Sequence, residues 1–128
     1  MRNKKEIIAG IIIIGNEVLS GRTKDINTST ISTWLNSLGI EVKEVRIIPD
    51  NKKIIIDTVN VLRKKFNYIF TTGGIGPTHD DITAESISSA FNLSSEFSFN
   101  LYTSATILFS YFAYISKQCN KHINNYQQ

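Results

Sequence analysis

The sequence predicts an α/β fold in which helices cover both faces of a parallel sheet. An uninterrupted apolar, β-branched run over residues 7–14 is typical of a central parallel strand, which is buried on both faces. Beyond it, apolar residues at helical spacing and at strand spacing alternate along the chain, and a glycine-rich turn follows a third apolar segment at residues 68–71. In folds of this kind, ligands bind at the carboxyl ends of the strands.

The first strand has to be distinguished from a signal peptide, because basic residues precede it at positions 2, 4 and 5. Glu6 interrupts the basic segment, the apolar run is short, and no small-residue cleavage site follows its end at Gly15-Asn16-Glu17. A buried strand over residues 7–14 fits this pattern better. A cytoplasmic location is therefore expected.

Periodicity predicts the elements that follow. One helix is predicted from the spacing of Ile31, Trp34, Leu35 and Leu38, with Gly39 as its stop, and residues 40–48 alternate as a strand. A second helix is predicted from apolar residues at steps of four, three and four: Ile55, Val59, Leu62 and Phe66. A third strand over 68–71 and a third helix over 82–91 complete the pattern, with Trp34, Phe66, Tyr68 and Phe70 expected in the core.

Composition limits the functions that the chain can have. Its 128 residues, 41% of them hydrophobic, suffice for one domain with a real core. A net charge of +3 with no basic stretch interleaved with aromatic residues favours small anionic ligands over nucleic acid, and no membrane partner is expected. A single cysteine, Cys119, cannot form an internal disulfide, and two histidines disfavour a structural metal site.

The segment YIFTTGGIGPTHDDIT, residues 68–83, predicts a phosphate-binding site. Gly73 and Gly74 can adopt positive φ, and such a turn can direct several backbone N–H groups towards an anion. Asp80 and Asp81 precede the predicted third helix, where they could cap it or hold a divalent cation against bound phosphate. A tight turn alone would explain two glycines, but three glycines, a proline and two acids favour function.

Acidic residues follow each predicted strand. Glu17, Asp50, Asp80 and Asp81 lie in the loops after the first, second and third strands. The carboxyl ends of parallel strands share one edge of the sheet, so these side chains are predicted to converge there. Asp50, which follows a proline and precedes a helix, could equally be only an N-cap.

Three motifs carry a resemblance to a known family: AGIIIIGNEVLSGRTKDIN, IIPDN and TTGGIGPTHDDITAES. Over residues 7–93 the chain resembles the MoaB/Mog molybdopterin-binding domains, most closely the amino-terminal domain of CinA proteins. The resemblance implies a three-layer α/β/α sandwich with a largely parallel sheet, and assembly into a homo-oligomer, either a dimer or a trimer.

The resemblance also implies two competing activities. Molybdopterin adenylyltransferases have an arginine where Asp80 stands, and this exchange favours carboxylate-metal chemistry over a simple grip on a pterin phosphate. CinA-type domains are associated with metal-dependent hydrolysis of ADP-ribose to AMP and ribose 5-phosphate. The ligand is thus a phosphorylated nucleotide or a pterin such as molybdopterin, with Mg²⁺ or a similar divalent metal as cofactor.

The resemblance assigns roles to particular residues. The implied catalytic and metal-binding residues are Asp81, Asp80 and Asp50. Those implied for phosphate or nucleotide binding are Gly73, Gly74, Gly76, Thr78, Asn27 and Glu17. Asn27 could instead cap a helix, and His79 is interpreted as a solvated loop residue rather than a general base.

The end of the chain departs from this pattern. After Glu96 no acidic residue occurs and the alternation of strands and helices is lost, which predicts a MoaB/Mog/CinA-like domain over 1–96 and a diverged tail over 97–128. Residues 97–116 are uncharged, but their polar side chains disfavour a membrane helix. A diverged helix or a frameshift is expected, so a truncated, inactive remnant is a third hypothesis.

Overall fold

The computed structural model describes residues 5–75, 78, 79 and 81–93 of the chain. Within these residues the elements, in order, are β1 (Ile7–Ile14), α1 (Asn16–Leu19), α2 (Asn27–Ser37), β2 (Ile40–Ile48), α3 (Lys52–Lys65), β3 (Tyr68–Thr72) and α4 (Thr83–Ala90). The predicted alternation of strands and helices is confirmed. The additional element is α1, a single helical turn where the sequence predicted a loop.

The three strands form a parallel sheet in the order β2-β1-β3. β1 is therefore central, as predicted, and its residues from Ala9 onwards are buried. The ladder between β1 and β2 shifts register after Ala9, because Ala9 pairs with Val42 whereas Gly10 pairs with Glu44. The extra residue, Lys43, forms a β-bulge, so Val42 before it and Val45 after it face the same side of the sheet, whereas a regular strand would place them on opposite sides.

Two cores lie on opposite faces of the sheet, because alternate residues of β1 point to opposite sides. Ile11 and Ile13 pack in a cluster with Ile31 and Leu35 of α2. The other cluster contains Ile12, Ile14 and Ile48 of the sheet, Ile55, Val59 and Leu62 of α3, and Ile87 and Ala90 of α4. Each fully buried isoleucine or leucine contributes about 1.5–3 kcal/mol relative to exposure. The arrangement confirms the three-layer α/β/α architecture.

The helices begin and end at recognisable signals. Asn51 caps α3, and its side chain accepts a hydrogen bond from the Ile54 amide. The predicted helix was one residue too long, because Phe66 is the extended residue that ends α3. α2 is followed by Gly39 at a φ of +76°, which confirms the predicted stop.

The prediction that Trp34 lies in the core was wrong. Its side chain is 48% exposed and meets Phe70 edge-on, with 6.4 Å between ring centroids. Ile31 and Leu35 are the residues of α2 that pack against the sheet, and Trp34 lies at the border of this packed face. Phe70 is buried as predicted, whereas Phe66 and Tyr68 are half-buried.

The predicted tail over residues 97–128 lies outside the described residues, as do Gly76 and Asp80. The domain boundary at residue 96 therefore stays a prediction. Among the described residues, no helix is both long and apolar enough to cross a membrane.

Candidate functional site

A polar cleft of about 470 Å³ lies at the carboxyl edge of the sheet. Its lining comes from the segments that follow each of the three strands and consists of Asn16, Glu17, Arg22, Asp50, Gly74, His79, Asp81 and Ile82. The structure thus brings together three of the four acids that were predicted to converge, Glu17, Asp50 and Asp81. The fourth, Asp80, is not among the described residues.

Asp50 is fixed by a reciprocal pair of hydrogen bonds with Asn16. The Asn16 amide donates to Asp50 Oδ2 at 3.0 Å, and the Asp50 amide donates to Asn16 Oδ1 at 3.2 Å. The amide of Gly15 also donates to the Ile48 carbonyl at 3.0 Å, which joins the ends of β1 and β2. Asp50 is therefore not the cap of α3, because Asn51 performs that function. Its carboxylate is positioned at the cleft instead.

In the glycine loop, residues 73–81, Gly73 lies too close to the backbone of β1 for any side chain to fit. Gly73 has a φ of +92°, and a Cβ built on it would lie 1.9 Å from the Ile14 carbonyl oxygen. Gly74 has a φ of +60°, and a Cβ there would collide with Thr83 Oγ1. Thr83 in turn donates its hydroxyl to the Gly73 carbonyl at 2.7 Å and its amide to the Gly74 carbonyl at 3.1 Å. Glycine is thus required at both positions.

The glycine loop also lies next to Asp50. Asp50 Oδ1, the carboxylate oxygen that does not accept from the Asn16 amide, lies 3.6 Å from the position of a Cβ on Gly74. Because Gly74 has no side chain, its backbone faces this carboxylate oxygen directly. The carboxylate and the bare backbone of the loop therefore form one continuous wall of the cleft.

The carboxylate of Asp81 is held by Thr78, three residues earlier in the same loop. Its Oδ2 accepts from the Thr78 amide at 3.0 Å and from the Thr78 hydroxyl at 2.7 Å. The residue at the start of α4 is Ile82, with no side-chain cap, so Asp81 does not cap the helix. Thr78 lies beyond the cleft lining and holds the carboxylate that lines it.

Asn27 lies outside the cleft lining as well. Its side-chain amide donates to Thr72 Oγ1 at 3.4 Å, which joins α2 to the end of β3. The N-cap residue of this helix is Ile26, and Asp25, one residue earlier, accepts at Oδ1 from the amides of Asn27 and Thr28 at 2.9 and 3.2 Å. Asn27 thus links α2 to the end of β3, and its proposed contact with ligand stays a prediction.

Glu17 is half-buried in the first turn of α1. Its Oε1 lies 2.6 Å from the position of a Cβ on Gly15, so the carboxylate folds back over that glycine. Any side chain at position 15 would displace it. The absence of a side chain at Gly15 is therefore a requirement of the Glu17 conformation.

The sequence analysis missed two polar lining residues, Asn16 and Arg22, and the apolar Ile82. Arg22 is exposed, and its Nε donates to Ser20 Oγ at 3.2 Å. A signal for both polar residues existed, since they belong to the segment after the first strand that also supplied Glu17. Leaving histidine out of the count, three carboxylates against one guanidinium give the described lining an excess of two formal negative charges.

Among the described residues, no three histidine, cysteine, aspartate or glutamate side chains lie close enough together to form a metal site on their own. Asp80, one of the three predicted ligands, is not described. Asp50 and Asp81 line the same cleft. The metal-binding role of Asp50, Asp80 and Asp81 stays a prediction.

Comparison with known proteins gives the family. The family described as "Probable molybdopterin binding domain" matches residues 10–123, which includes most of the predicted tail. A CinA-like protein of Flavobacterium psychrophilum is 40% identical over 84 residues, which cover 66% of this chain and 20% of that protein. The chain therefore spans only a fraction of that relative's length.

Solved structures show the same fold. The protein CinA, of unknown function, from Thermoplasma acidophilum has a TM-score of 0.64 and 30% identity, covering 66% of this chain and 50% of that one. The tungsten cofactor synthesizing protein MoaB from Pyrococcus furiosus has a TM-score of 0.60 and 31% identity, covering 66% and 53%. With the match to residues 10–123, these likenesses show that the chain belongs to the molybdopterin-binding domain family, with CinA-like and MoaB proteins among its relatives.

Proposed function

We propose that the cleft binds the diphosphate of a nucleotide and that, with a divalent cation, the chain hydrolyses ADP-ribose to AMP and ribose 5-phosphate. The observation that carries this proposal is the meeting of Glu17, Asp50 and Asp81 with Gly74 in one cleft, although they come from three separate segments. Carboxylates beside a bare glycine backbone suit a ligand that combines phosphate with a cation.

The size and surface of the cleft support a small phosphorylated ligand. Its volume of about 470 Å³ lies within the usual range for small-molecule sites, roughly 300–1,000 Å³. Gly74 exposes backbone rather than a side chain, so a phosphate can approach the main chain closely. The predicted contacts of Gly73, Gly76 and Thr78 with phosphate belong to the same proposal.

The charge of the cleft favours a cation together with the ligand. An excess of two formal negative charges would repel a diphosphate, and a divalent cation between the two reverses that repulsion. Mg²⁺ is usually held by only one or two carboxylates together with waters and substrate phosphates, so no three-residue cluster is required. The oxygens of Asp50 and Asp81 fit this role, and Asp80 is proposed as a further ligand. A bound divalent cation would polarise the phosphoryl oxygens and lower the pKa of the attacking water.

The protein's own residues keep these carboxylates in place. Asn16 holds Asp50 through Oδ2 and leaves Oδ1 towards the glycine loop, while Thr78 fixes Asp81 with two hydrogen bonds. The Glu17 side chain has no hydrogen-bond partner among the described residues. We propose that it accepts a hydrogen bond from the attacking water or from a ribose hydroxyl.

Asp50→Asn tests this function. The variant keeps an oxygen that can accept from the Asn16 amide but removes the charge, so it should fold as the wild type does. We expect Mg²⁺-dependent release of AMP from ADP-ribose, measured by chromatography, to fall by about a hundredfold, the scale on which removing one electrostatic group in an active site acts. The loss should persist at saturating Mg²⁺.

Asp57→Asn is the matched control, because it removes the same charge from an exposed position on α3 where Asp57 pairs with Lys53. It should retain full turnover. Equal rates for the two variants would refute the assignment of Asp50. No turnover by the wild type at any divalent metal concentration would refute the hydrolase proposal itself.

The second candidate is binding of molybdopterin or adenylyl transfer to it. It is favoured by the structural likeness to the tungsten cofactor synthesizing protein MoaB from Pyrococcus furiosus. Thermal melts with ADP-ribose plus Mg²⁺ and with ATP plus Mg²⁺ separate the candidates, because a ligand stabilises the folded state it binds. A selective rise with ADP-ribose supports hydrolysis, and a selective rise with ATP supports adenylyl transfer.

The same melts test the third hypothesis. A chain without a cooperative transition, with or without ligand, would be the inactive remnant. Light scattering on the purified chain tests the proposal that it forms a homo-oligomer, a dimer or a trimer.

A further inference from the structure

The segment between α1 and α2 turns back towards the cleft. After Leu19 the amide of Gly21 donates to the Val18 carbonyl at 3.2 Å, and the amide of Thr23 donates to the Glu17 carbonyl at 3.0 Å. Gly21 adopts a φ of +77°, which this reversal requires. The turn carries Arg22 to the cleft wall that already contains Glu17.

Arg22 is the only lysine or arginine among the described lining residues of the cleft. It shares the lining with Glu17, Asp50 and Asp81, yet it forms no ion pair with these or any other described carboxylate. Its one hydrogen bond runs from Nε to Ser20 Oγ. The two terminal amino groups of the guanidinium are therefore not engaged by the described part of the protein.

Ser20 is well placed to orient this side chain. Its hydroxyl accepts from Arg22 Nε and also donates to the Glu17 carbonyl, each at 3.2 Å. The hydroxyl thus ties the guanidinium to the backbone of α1. A guanidinium held at Nε keeps its outer amino groups in one plane, the geometry that suits two phosphate oxygens.

The glycine loop cannot supply this charge. Its sequence from Gly73 to Asp81, GGIGPTHDD, contains no lysine or arginine and ends in two acids. A lysine or arginine that contacts a phosphate held there would therefore come from another segment. Within the described lining, that segment is the one that carries Arg22.

We propose that Arg22 binds a phosphate oxygen of the ligand in the cleft, and that Ser20 positions it. This inference rests on the proposed function in so far as the ligand is phosphorylated, but it holds for a nucleotide diphosphate and for a pterin phosphate alike. Arg22 then acts in binding rather than in bond cleavage. Its loss should raise KM more than it lowers kcat.

Arg22→Met tests the proposal against Lys24→Met, which removes one positive charge from the same exposed segment but outside the cleft lining. Both variants change the overall field equally. Calorimetric titration with ADP-ribose plus Mg²⁺ should show about tenfold weaker binding for Arg22→Met and unchanged binding for Lys24→Met, since a hydrogen bond to a charged group contributes at about that scale. The loss should shrink as salt is raised.

Two further variants separate charge from geometry. Arg22→Lys keeps the positive charge but not the two coplanar amino groups of the guanidinium, so it should recover only part of the affinity. Ser20→Ala should weaken binding with an unchanged melting temperature, and Ser20→Thr, which keeps the hydroxyl, should restore it. Equal affinity for Ser20→Ala and the wild type would overturn the positioning role.

The outcomes distinguish this proposal from the proposed function. If the wild type binds ADP-ribose and Arg22→Met binds it as tightly as Lys24→Met does, the role of Arg22 is overturned while the function stands. If the wild type does not bind ADP-ribose, pyrophosphate plus Mg²⁺ is the second probe: selective loss in Arg22→Met supports the proposal, and equal binding or none by the wild type overturns it.

Discussion

Gly73→Ala is expected to destabilise the protein far more than a glycine substitution at an equivalent φ elsewhere. Gly73 adopts a φ of +92°, and its missing Cβ would lie 1.9 Å from the Ile14 carbonyl oxygen. The obstacle is backbone at the end of the central strand, which cannot rotate away as a side chain could. Gly39→Ala is the matched control, because Gly39 has a φ of +76° but no atom within 4 Å of its Cβ position.

The magnitude follows from three contributions. The left-handed conformation costs an alanine about 1–2 kcal/mol, and this applies to both variants. Forcing a methyl group into occupied space costs about 1–3 kcal/mol more, and this applies to Gly73 alone. The reduced entropy of the unfolded chain returns about 0.4–1 kcal/mol in both. Gly73→Ala should therefore lower the free energy of unfolding by about 1–5 kcal/mol and Gly39→Ala by about 0–2 kcal/mol, a difference of about 1–3 kcal/mol between the two variants.

Urea denaturation followed by circular dichroism measures the difference between the two variants directly. Because domains are stable by only about 5–15 kcal/mol, the Gly73 variant should show a clearly lower midpoint. A difference of less than about 0.5 kcal/mol would mean that β1 and the glycine loop are not packed as described, and the argument for an obligatory glycine would fail.

Two other predictions concern the start of α3 and the strand β2. Asn51→Ala should lower the free energy of unfolding by about 1 kcal/mol, because it removes the acceptor for the Ile54 amide, whereas Asn51→Asp should retain most of the stability. Equal urea midpoints for the two variants would contradict the capping role of Asn51. The hydrogen bond from Arg46 holds the pKa of Glu44 below its ordinary value of 4.5. The contribution of the Glu44 carboxylate to the free energy of unfolding is therefore fully present above pH 4.5, and it is lost as pH falls through the lower pKa of the folded state. The stability difference between the wild type and Glu44→Gln should accordingly be largest at neutral pH and disappear in acid; a difference independent of pH in urea titrations would rule this out.

The elements of the fold were predictable because each carries a local periodic signal. The bounds of β1 and β2 agree with the prediction, and β3 extends one residue further, to Thr72. α1 was missed because four residues are too few to display a helical period. Trp34 was misplaced because helical spacing shows which side of a helix is apolar but not where its contact with the sheet stops.

The candidate site was predictable only as a location. The rule that strand ends share one edge brought Glu17, Asp50 and Asp81 together correctly. The partners of these acids were not predictable, because the bond between Asn16 and Asp50 joins residues 34 positions apart and leaves no local pattern. The location of Arg22 after the first strand was a signal in the sequence, but its role was not predictable, since a single exposed arginine in a turn is indistinguishable from a solvated one until its neighbours are known.

The reciprocal hydrogen bonds between Asn16 and Asp50 determine when the cleft can form during folding. Both of these hydrogen bonds span 34 residues, and Gly74 approaches Asp50 from a third segment further along the chain. No fragment that carries only one motif can therefore reproduce the cleft, and pairings between parallel strands this distant in sequence form late and slowly. A nascent chain would acquire its cleft only when β2 and β3 have docked on both sides of β1, so occupancy of this site by any ligand would report that these three strands have paired.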